Sequence, residues 1–255
     1  MLTAHPSHPI GGGRGHGHGH GHGHGGEAAR GRGGTGVAFL RAMMTPQMAT
    51  WSADFGRSYT DRNPQSWADM DALYASMYGV PRSVVNAEIL RSVDRSARVL
   101  EVGCNVGCQL EGLTALGFTD LHGLELQEYA AAKARARLPS AAITCGSALE
   151  LPFPDASFDL VYTSGVLIHI APADLPRAMR EILRVSRRFV WGWEYHADAL
   201  VEIPYRGERG LLWKGPYAEL YRASAPELAV VARRRLPYAA RPEQVDEVFL
   251  LASAR

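Results

Sequence analysis

Cysteine is scarce in this chain: Cys104, Cys108 and Cys145 are the whole supply in 255 residues. Three thiols do not build the disulfide framework of a small secreted domain, and Cys104 and Cys108 lack the spacing of a zinc site. All three read as small buried hydrophobes in a reducing, cytoplasmic setting. Charge imbalance is missing too. The 27 Lys and Arg against 26 Asp and Glu leave a net charge of +1, which gives no hold on nucleic acid or an anionic membrane. No apolar run is long enough to span a bilayer. The first ten residues lack the basic and apolar regions expected of a secretory signal. The dinucleotide fingerprint G-x-G-x-x-G is absent as well.

What stands out instead is the stretch Val99-Leu100-Glu101-Val102-Gly103-Cys104-Asn105-Val106-Gly107. A short apolar run carrying an acid reads as a buried parallel strand, and the two glycines open a helix behind it. Glycine tolerates positive φ at such a turn and lets the backbone approach a ligand. The helix N-terminus adds unpaired N–H groups and a favourable dipole. With Asn105 two residues after Gly103 the pattern is E-x-G-x-x-x-G, which disfavours a nicotinamide oxidoreductase.

Upstream, residues 11–36 are dominated by Gly, Arg and His, with Gly-His alternation from Gly15 to His24. Such a segment cannot bury enough apolar surface to offset ordering, so residues 1–36 are expected to be a disordered leader. Its imidazoles would take up a divalent metal only incidentally, and no metal site is assigned. Residues 37–96 interleave aromatics and acids as a helical cap. Trp51, Phe55 and Tyr59 recur every fourth residue, one stripe of a helix that Gly56 opposes, and Asn63-Pro64 ends it. A helix over 83–95 leads into the strand.

Beyond the glycine turn a helix is expected to about Leu116, closed by Gly117. Then come a strand over 121–126 with Glu125 near its end, an alanine-rich helix over 128–137, and a strand and turn over 142–148. A strand over 158–163, a helix over 174–185, a strand over 189–193 and a last strand at 248–251 complete the pattern. This alternation predicts an α/β fold: a doubly wound, mostly parallel Rossmann-like sheet over 97–255, with the N-terminal helical cap and a C-terminal antiparallel edge strand.

Five elements in this order resemble the class I S-adenosylmethionine (SAM) methyltransferases. They are the glycine turn, Glu125, the Gly146-Ser147-Ala148 turn, the Phe158-Asp159 strand and the segment Val166-Leu167-Ile168-His169-Ile170. The flanks resemble a narrower family, the pseudaminic acid biosynthesis-associated methylases. That likeness is carried by Trp51-Ser52-Ala53-Asp54-Phe55-Gly56 with Tyr59 and Arg62-Asn63, by Glu194-Tyr195, and by Val201-Glu202-Ile203-Pro204-Tyr205-Arg206-Gly207 with Gly210 and Lys214. The resemblance implies SAM as cofactor. Gly103, Asn105 and Gly107 would lie at its amino-acid end with Glu101 setting the loop, Glu125 would accept from the ribose hydroxyls, and Ser147 and Ala148 would flank the adenine. Two departures stand out: Asn105 replaces a commonly seen glycine, and Ser147 stands where many members carry an aspartate.

Methyl transfer needs placement, desolvation and sometimes a base. His169, after the fourth strand, is the candidate base or substrate hydrogen bond; flanked by Ile168 and Ile170, it also reads as a satisfied structural histidine. Glu194, after the fifth strand, is the alternative base, or else the ion-pair partner of an arginine. Tyr59 and Arg62 would face the ligand from the cap. Tyr205, Arg206, Arg209 and Lys214 form a basic cluster whose guanidinium forks suit a carboxylate or phosphate, or else a solvated loop. Arg233-Arg234-Arg235 reads as surface. The expectation is a cytoplasmic SAM-dependent methyltransferase acting on an oxygen or nitrogen of a small anionic metabolite, an acidic or nucleotide-linked sugar, with no nucleic-acid or membrane partner. A natural-product or amino-acid carboxylate as acceptor, and a non-catalytic SAM-fold binding module, are the alternatives. Nothing in the pattern sets an oligomeric state.

Overall fold

The computed structural model describes residues 44–253, so the leader expected over 1–36 lies outside the described residues. Four helices come first: α1 (Pro46–Ser52), α2 (Asp54–Arg62), α3 (Trp67–Tyr78) and α4 (Arg82–Ile89). Their ends are written locally. Thr45 caps α1 by accepting the Met48 N–H at 3.1 Å, with Pro46 fixing φ in the first turn, and Ser66 caps α3 through the Asp69 N–H. Gly79 closes α3 in the left-handed conformation at φ 71°.

The single helix predicted from the Trp51, Phe55 and Tyr59 spacing is broken at Ala53, whose extended backbone (φ −96°, ψ −161°) separates α1 from α2. Gly56 allows the break: a Cβ there would fall 1.8 Å from the Trp51 carbonyl oxygen. The three rings still meet, with Trp51 5.2 Å from both Phe55 and Tyr59. The helix expected over 83–95 stops at Ile89, because Arg95 Nη1 donates to the carbonyls of Leu90 and Val93 and holds that segment in a turn.

Alternating strands and helices follow: β1 (Arg98–Val102), α5 (Cys108–Ala115), β2 (Asp120–Glu125), α6 (Glu128–Arg137), β3 (Ala142–Cys145) and β4 (Phe158–Ser164). A 3₁₀ turn (Leu167–His169), α7 (Leu175–Val185) and β5 (Ser186–Tyr195) come next. The short pair β6 (Val201–Glu202) and β7 (Trp213–Lys214) precedes α8 (Tyr217–Ser224), β8 (Ala229–Tyr238) and β9 (Arg241–Ala252). Seven strands form one sheet in the order β3-β2-β1-β4-β5-β9-β8. The first five are parallel, and β9 and β8 are antiparallel additions. This is the doubly wound, Rossmann-like arrangement, with an antiparallel pair at one edge.

The last strand lies inside that pair, and β8 holds the rim. The arginine triplet belongs to β8. Arg233 pairs with Glu219 and Glu247, and Arg234 with Glu88, which blunts an otherwise open strand edge. Under α4 and α5 the core gathers Val85, Ile89, Leu110 and Leu113 against Val99, Leu160, Tyr162 and Trp191 of the sheet. Strand order reverses between β1 and β4. Open α/β sheets hold ligands at such a switch point, beyond the carboxyl ends of the strands. Those ends are Val102, Glu125, Cys145, Ser164 and Tyr195. No helix of the described residues is long and apolar enough to cross a membrane.

Candidate active site

The glycine turn takes the left-handed conformation three times, at Gly103 (φ 79°), Asn105 (φ 46°) and Gly107 (φ 79°). Asparagine is among the few side-chain-bearing residues that adopt this region readily, so Asn105 serves where a glycine is commonly seen. The turn is bolted to β2: Gly103 and Cys104 N–H groups both donate to the Leu124 carbonyl, at 2.7 and 3.0 Å. Asn105 Oδ1 is buried with no hydrogen-bond partner among the described residues. Beneath the turn Glu101 is buried, and desolvation pushes its carboxyl up to about 8, offset in part by Tyr162 and Arg82 nearby.

At the tip of β2, Glu125 bridges two loops. Its Oε2 accepts the Asn105 N–H at 2.8 Å and its Oε1 the Gln127 N–H at 2.9 Å. Burial raises this carboxyl above its ordinary range, and the backbone N–H groups of Gln127, Asn105 and Leu126 pull it back. Since a carboxylate has about four acceptor positions, one on each oxygen remains. Ser147 is buried after β3, where its Oγ accepts the Leu149 N–H at 3.1 Å and lies 3.8 Å from Met48 Sδ. Ala148 joins Leu126 and Ile170 around buried Met48, Leu149 and Ala178, an apolar cluster in which α1 and α7 meet the loops after β2, β3 and β4.

His169 ends the 3₁₀ turn after β4. Its Nδ1 lies 2.7 Å from the Leu211 carbonyl oxygen, which can only accept, so Nδ1 carries the hydrogen and the neutral ring has its lone pair on Nε2. Aromatic rings surround it: Trp51 at 4.5 Å, Tyr205 at 5.4 Å and Tyr59 at 6.1 Å. Glu194 lies below. Its buried carboxylate accepts the backbone N–H groups of Val166, Leu167 and Ile168 at 3.3, 3.3 and 3.4 Å. Burial lifts this carboxyl to about 7, against those donors and Thr163. Glu194 thus engages the backbone of the turn bearing His169, and it makes no ion pair with an arginine among the described residues.

The structure divides the expected basic cluster. Tyr205 is buried among the rings, but a turn closed by mutual Tyr205–Glu208 backbone bonds leaves Arg206 and Arg209 exposed. Arg62, at the end of α2, is exposed as well. Only Lys214 is partly buried, its Nζ 5.9 Å from the Tyr195 ring centroid, where desolvation lowers its pKa. In place of the exposed arginines the fold supplies one that sequence reasoning missed: buried Arg82, first residue of α4, packed against the rings of Trp193 and Tyr74. Beside it Asp246 accepts from Tyr78, Tyr238 and Trp193, and burial pushes its carboxyl up to about 6. The described residues contain no group of three or more His, Cys, Asp or Glu able to hold a metal; the His16–His24 tract lies outside them.

Residues 100–188 match the family model described as a methyltransferase domain. Over 96 residues the chain is 35% identical to the 24-methylenesterol C-methyltransferase 2 of Oryza sativa subsp. japonica, covering 35% of this chain and 26% of that protein. The chain therefore spans about a quarter of the length of this curated relative. Among solved structures, 1,6-didemethyltoxoflavin-N1-methyltransferase from Burkholderia thailandensis, with bound 1,6-didemethyltoxoflavin and S-adenosylhomocysteine (SAH), superposes with a TM-score of 0.59. The identity is 18%, over 90% of this chain and 93% of that one. The cyclase SpnF superposes with a TM-score of 0.54 at 17% identity, over 67% of this chain and 80% of that one. The fold is the one these proteins share.

Proposed function

We propose that this chain is a SAM-dependent methyltransferase that methylates an oxygen or nitrogen of a small anionic metabolite. The observation that carries the reading is the Glu125 bridge: a carboxylate at the tip of β2, tied to the glycine turn beside the switch point, with an acceptor position left on each oxygen. Two acceptors side by side match a vicinal diol, and a nucleoside sugar presents one. The remaining residues fit the rest of such a molecule. Asn105 Oδ1, a buried acceptor lacking a partner, suits an ammonium, and the Leu126, Ala148 and Ile170 patch suits a flat base. The match of residues 100–188 to a methyltransferase domain supports the same assignment.

When bound, the cofactor would supply an electrophilic methyl group to the acceptor's lone pair, its sulfur keeping the electron pair of the broken carbon–sulfur bond. The chain's residues do the placing. Gly103 and Gly107 would let backbone come close to the cofactor, and Glu125 would hold its sugar. The Nε2 lone pair of His169 takes the proton that the acceptor releases. Glu194 positions that ring by holding the three N–H groups of its turn. Lys214, Tyr59 and Tyr205 form the acceptor wall, and Arg62, Arg206 and Arg209 on the rim attract an anion. The likeness of the flanks to pseudaminic acid biosynthesis-associated methylases supports an acidic sugar as acceptor.

Calorimetry with SAH and with NADH, followed by transfer from methyl-labelled SAM to acidic sugars, amino acids and natural-product acids, tests this reading. SAH binding and label in one acid are expected. NADH binding without SAH binding would overturn the proposal, and SAH binding without transfer across the panel would leave a binding module in its place.

A further inference from the structure

Arg82 is 1% exposed, yet no carboxylate of the described residues lies within ion-pair distance of it. Its Nη2 donates to Ser164 Oγ at 2.6 Å, and its Nε is buried without a partner among the described residues. Its Cζ lies 4.2 Å from the Trp193 ring centroid and 4.5 Å from that of Tyr74, two rings that meet edge to face, so the guanidinium packs into the angle between them. A buried guanidinium with an open donor and no carboxylate in direct contact is costly unless an anion completes it. Of the acids around it, Glu101 lies beyond ion-pair distance with its carboxyl pushed up to about 8 by burial, Glu194 is held on three backbone amides, and Asp246 on two tyrosines and an indole.

Lys214 repeats the theme one ring further out. Trp193 and Tyr195 stand two apart on β5 and therefore on the same face. Arg82 covers the first ring and Lys214 lies over the second, while the Gly215 N–H donates to the Tyr195 carbonyl and ties Lys214's segment to that strand. Ser164, Tyr74 and Tyr195, beside these two cations, are only partly buried. This wall lies at the ends of β4 and β5, away from the β2 tip where Glu125 stands.

We infer that Arg82 and Lys214 together bind the carboxylate of the methyl acceptor, which is a small ring-bearing carboxylate packed against the half-buried rings of Tyr74 and Tyr195. The inference rests on the methyltransferase reading and assigns its specificity to these two cations. Arg82 supplies a two-pronged contact at the floor, and Lys214 a point charge at the entrance. The exposed Arg206 and Arg209 serve only the approach.

The test uses the full chain saturated with SAH. Titrations with 4-hydroxybenzoate and glucuronate, each beside its uncharged methyl ester, are followed by calorimetry in wild type, Arg82→Met, Arg82→Lys and Lys214→Met. In wild type at least one acid should bind tenfold or more tighter than its ester. That preference should vanish in Arg82→Met, recover in part in Arg82→Lys and shrink in Lys214→Met, with SAH affinity within twofold of wild type throughout. The inference fails if neither acid binds, if acid and ester bind alike, or if Arg82→Met keeps the preference. It fails also if Arg82→Met weakens SAH, since Arg82 then serves the cofactor. Should Arg82→Met not fold, an unchanged preference in Lys214→Met overturns the paired site. A wild-type chain that does not bind SAH at all refutes the methyltransferase reading itself.

Discussion

Glu194 and Glu125 hold backbone N–H groups in the same way but answer to different tests. The folded-state pKa of Glu194 is raised from 4.5 to about 7. Between those values the native protein holds a proton that the unfolded chain has released, so stability falls as pH rises through that window and levels off above it. Glu194→Gln should flatten this fall, which for one group is at most about 1.4 kcal/mol per pH unit. Urea melts at intervals from pH 4.5 to 8 would read it, and an unchanged slope would place the titration elsewhere. The same variant, by loosening the His169 turn, should lower turnover more than it raises acceptor KM. For Glu125 the expected loss is in cofactor binding. Glu125→Ala removes charge-assisted hydrogen bonds, so SAH affinity should drop by roughly 1–3 kcal/mol; calorimetry giving the wild-type constant would remove this carboxylate from the cofactor site.

The glycine turn is where two elements press on each other. A Cβ on Gly103 would sit 2.5 Å from Val166 Cγ2, and its φ of 79° is left-handed. Gly103→Ala should therefore cost about 1–2 kcal/mol from backbone strain alone. It should also push the loop after β4, with His169, away from the turn, and a melting point and SAH affinity that both match wild type would count against that coupling. This turn was legible in the sequence because glycine, strand and helix signals are local, and so was the acid at the tip of β2. What escaped was non-local. The rings around His169 come from α1, α2 and the segment before β7, and no spacing within one stretch announces their meeting. The run from Tyr205 to Lys214 looked like one basic cluster, but a tight turn sends Arg206 outward while β7 turns Lys214 inward. Arg82 was invisible because arginine is ordinarily a surface residue, and only the stacking of α3 and β5 around it makes a buried place for it. Likewise the predicted stripe of Trp51, Phe55 and Tyr59 survived the loss of the helix that was to carry it, since the break at Ala53 folds the rings together.

At the scale of the whole molecule, a seven-residue helix reaches the loops after four of the five parallel strands, β2 to β5, at the carboxyl end of the sheet. From α1, the Trp51 carbonyl accepts from Gln127 after β2, Met48 meets Ser147 after β3, and Gln47 accepts the Ala171 N–H after β4 while donating to the Gly210 carbonyl. The same fold serves a cyclase as well as methyltransferases among the structural neighbours, so chemistry is set by what covers the sheet ends rather than by the sheet. A nucleoside lying between the Glu125 tip and the Ala148 patch would lie beneath α1, and α1 would have to lift for exchange. The contacts that hold α1 down are a few hydrogen bonds, buried Met48 and the Trp51 ring packed against His169, a small set that local opening can break without unfolding the sheet. Two outcomes follow from this placement. Saturating SAH should slow hydrogen exchange of the amides over 46–52 while those of β1 and β4 stay unchanged. Trp51→Ala should speed SAH dissociation in stopped-flow displacement by roughly tenfold, about 1.4 kcal/mol of lost closure, with a smaller change in its association rate. If SAH binds and α1 exchanges as before, the nucleoside does not lie under this helix, and the cap belongs to the acceptor alone.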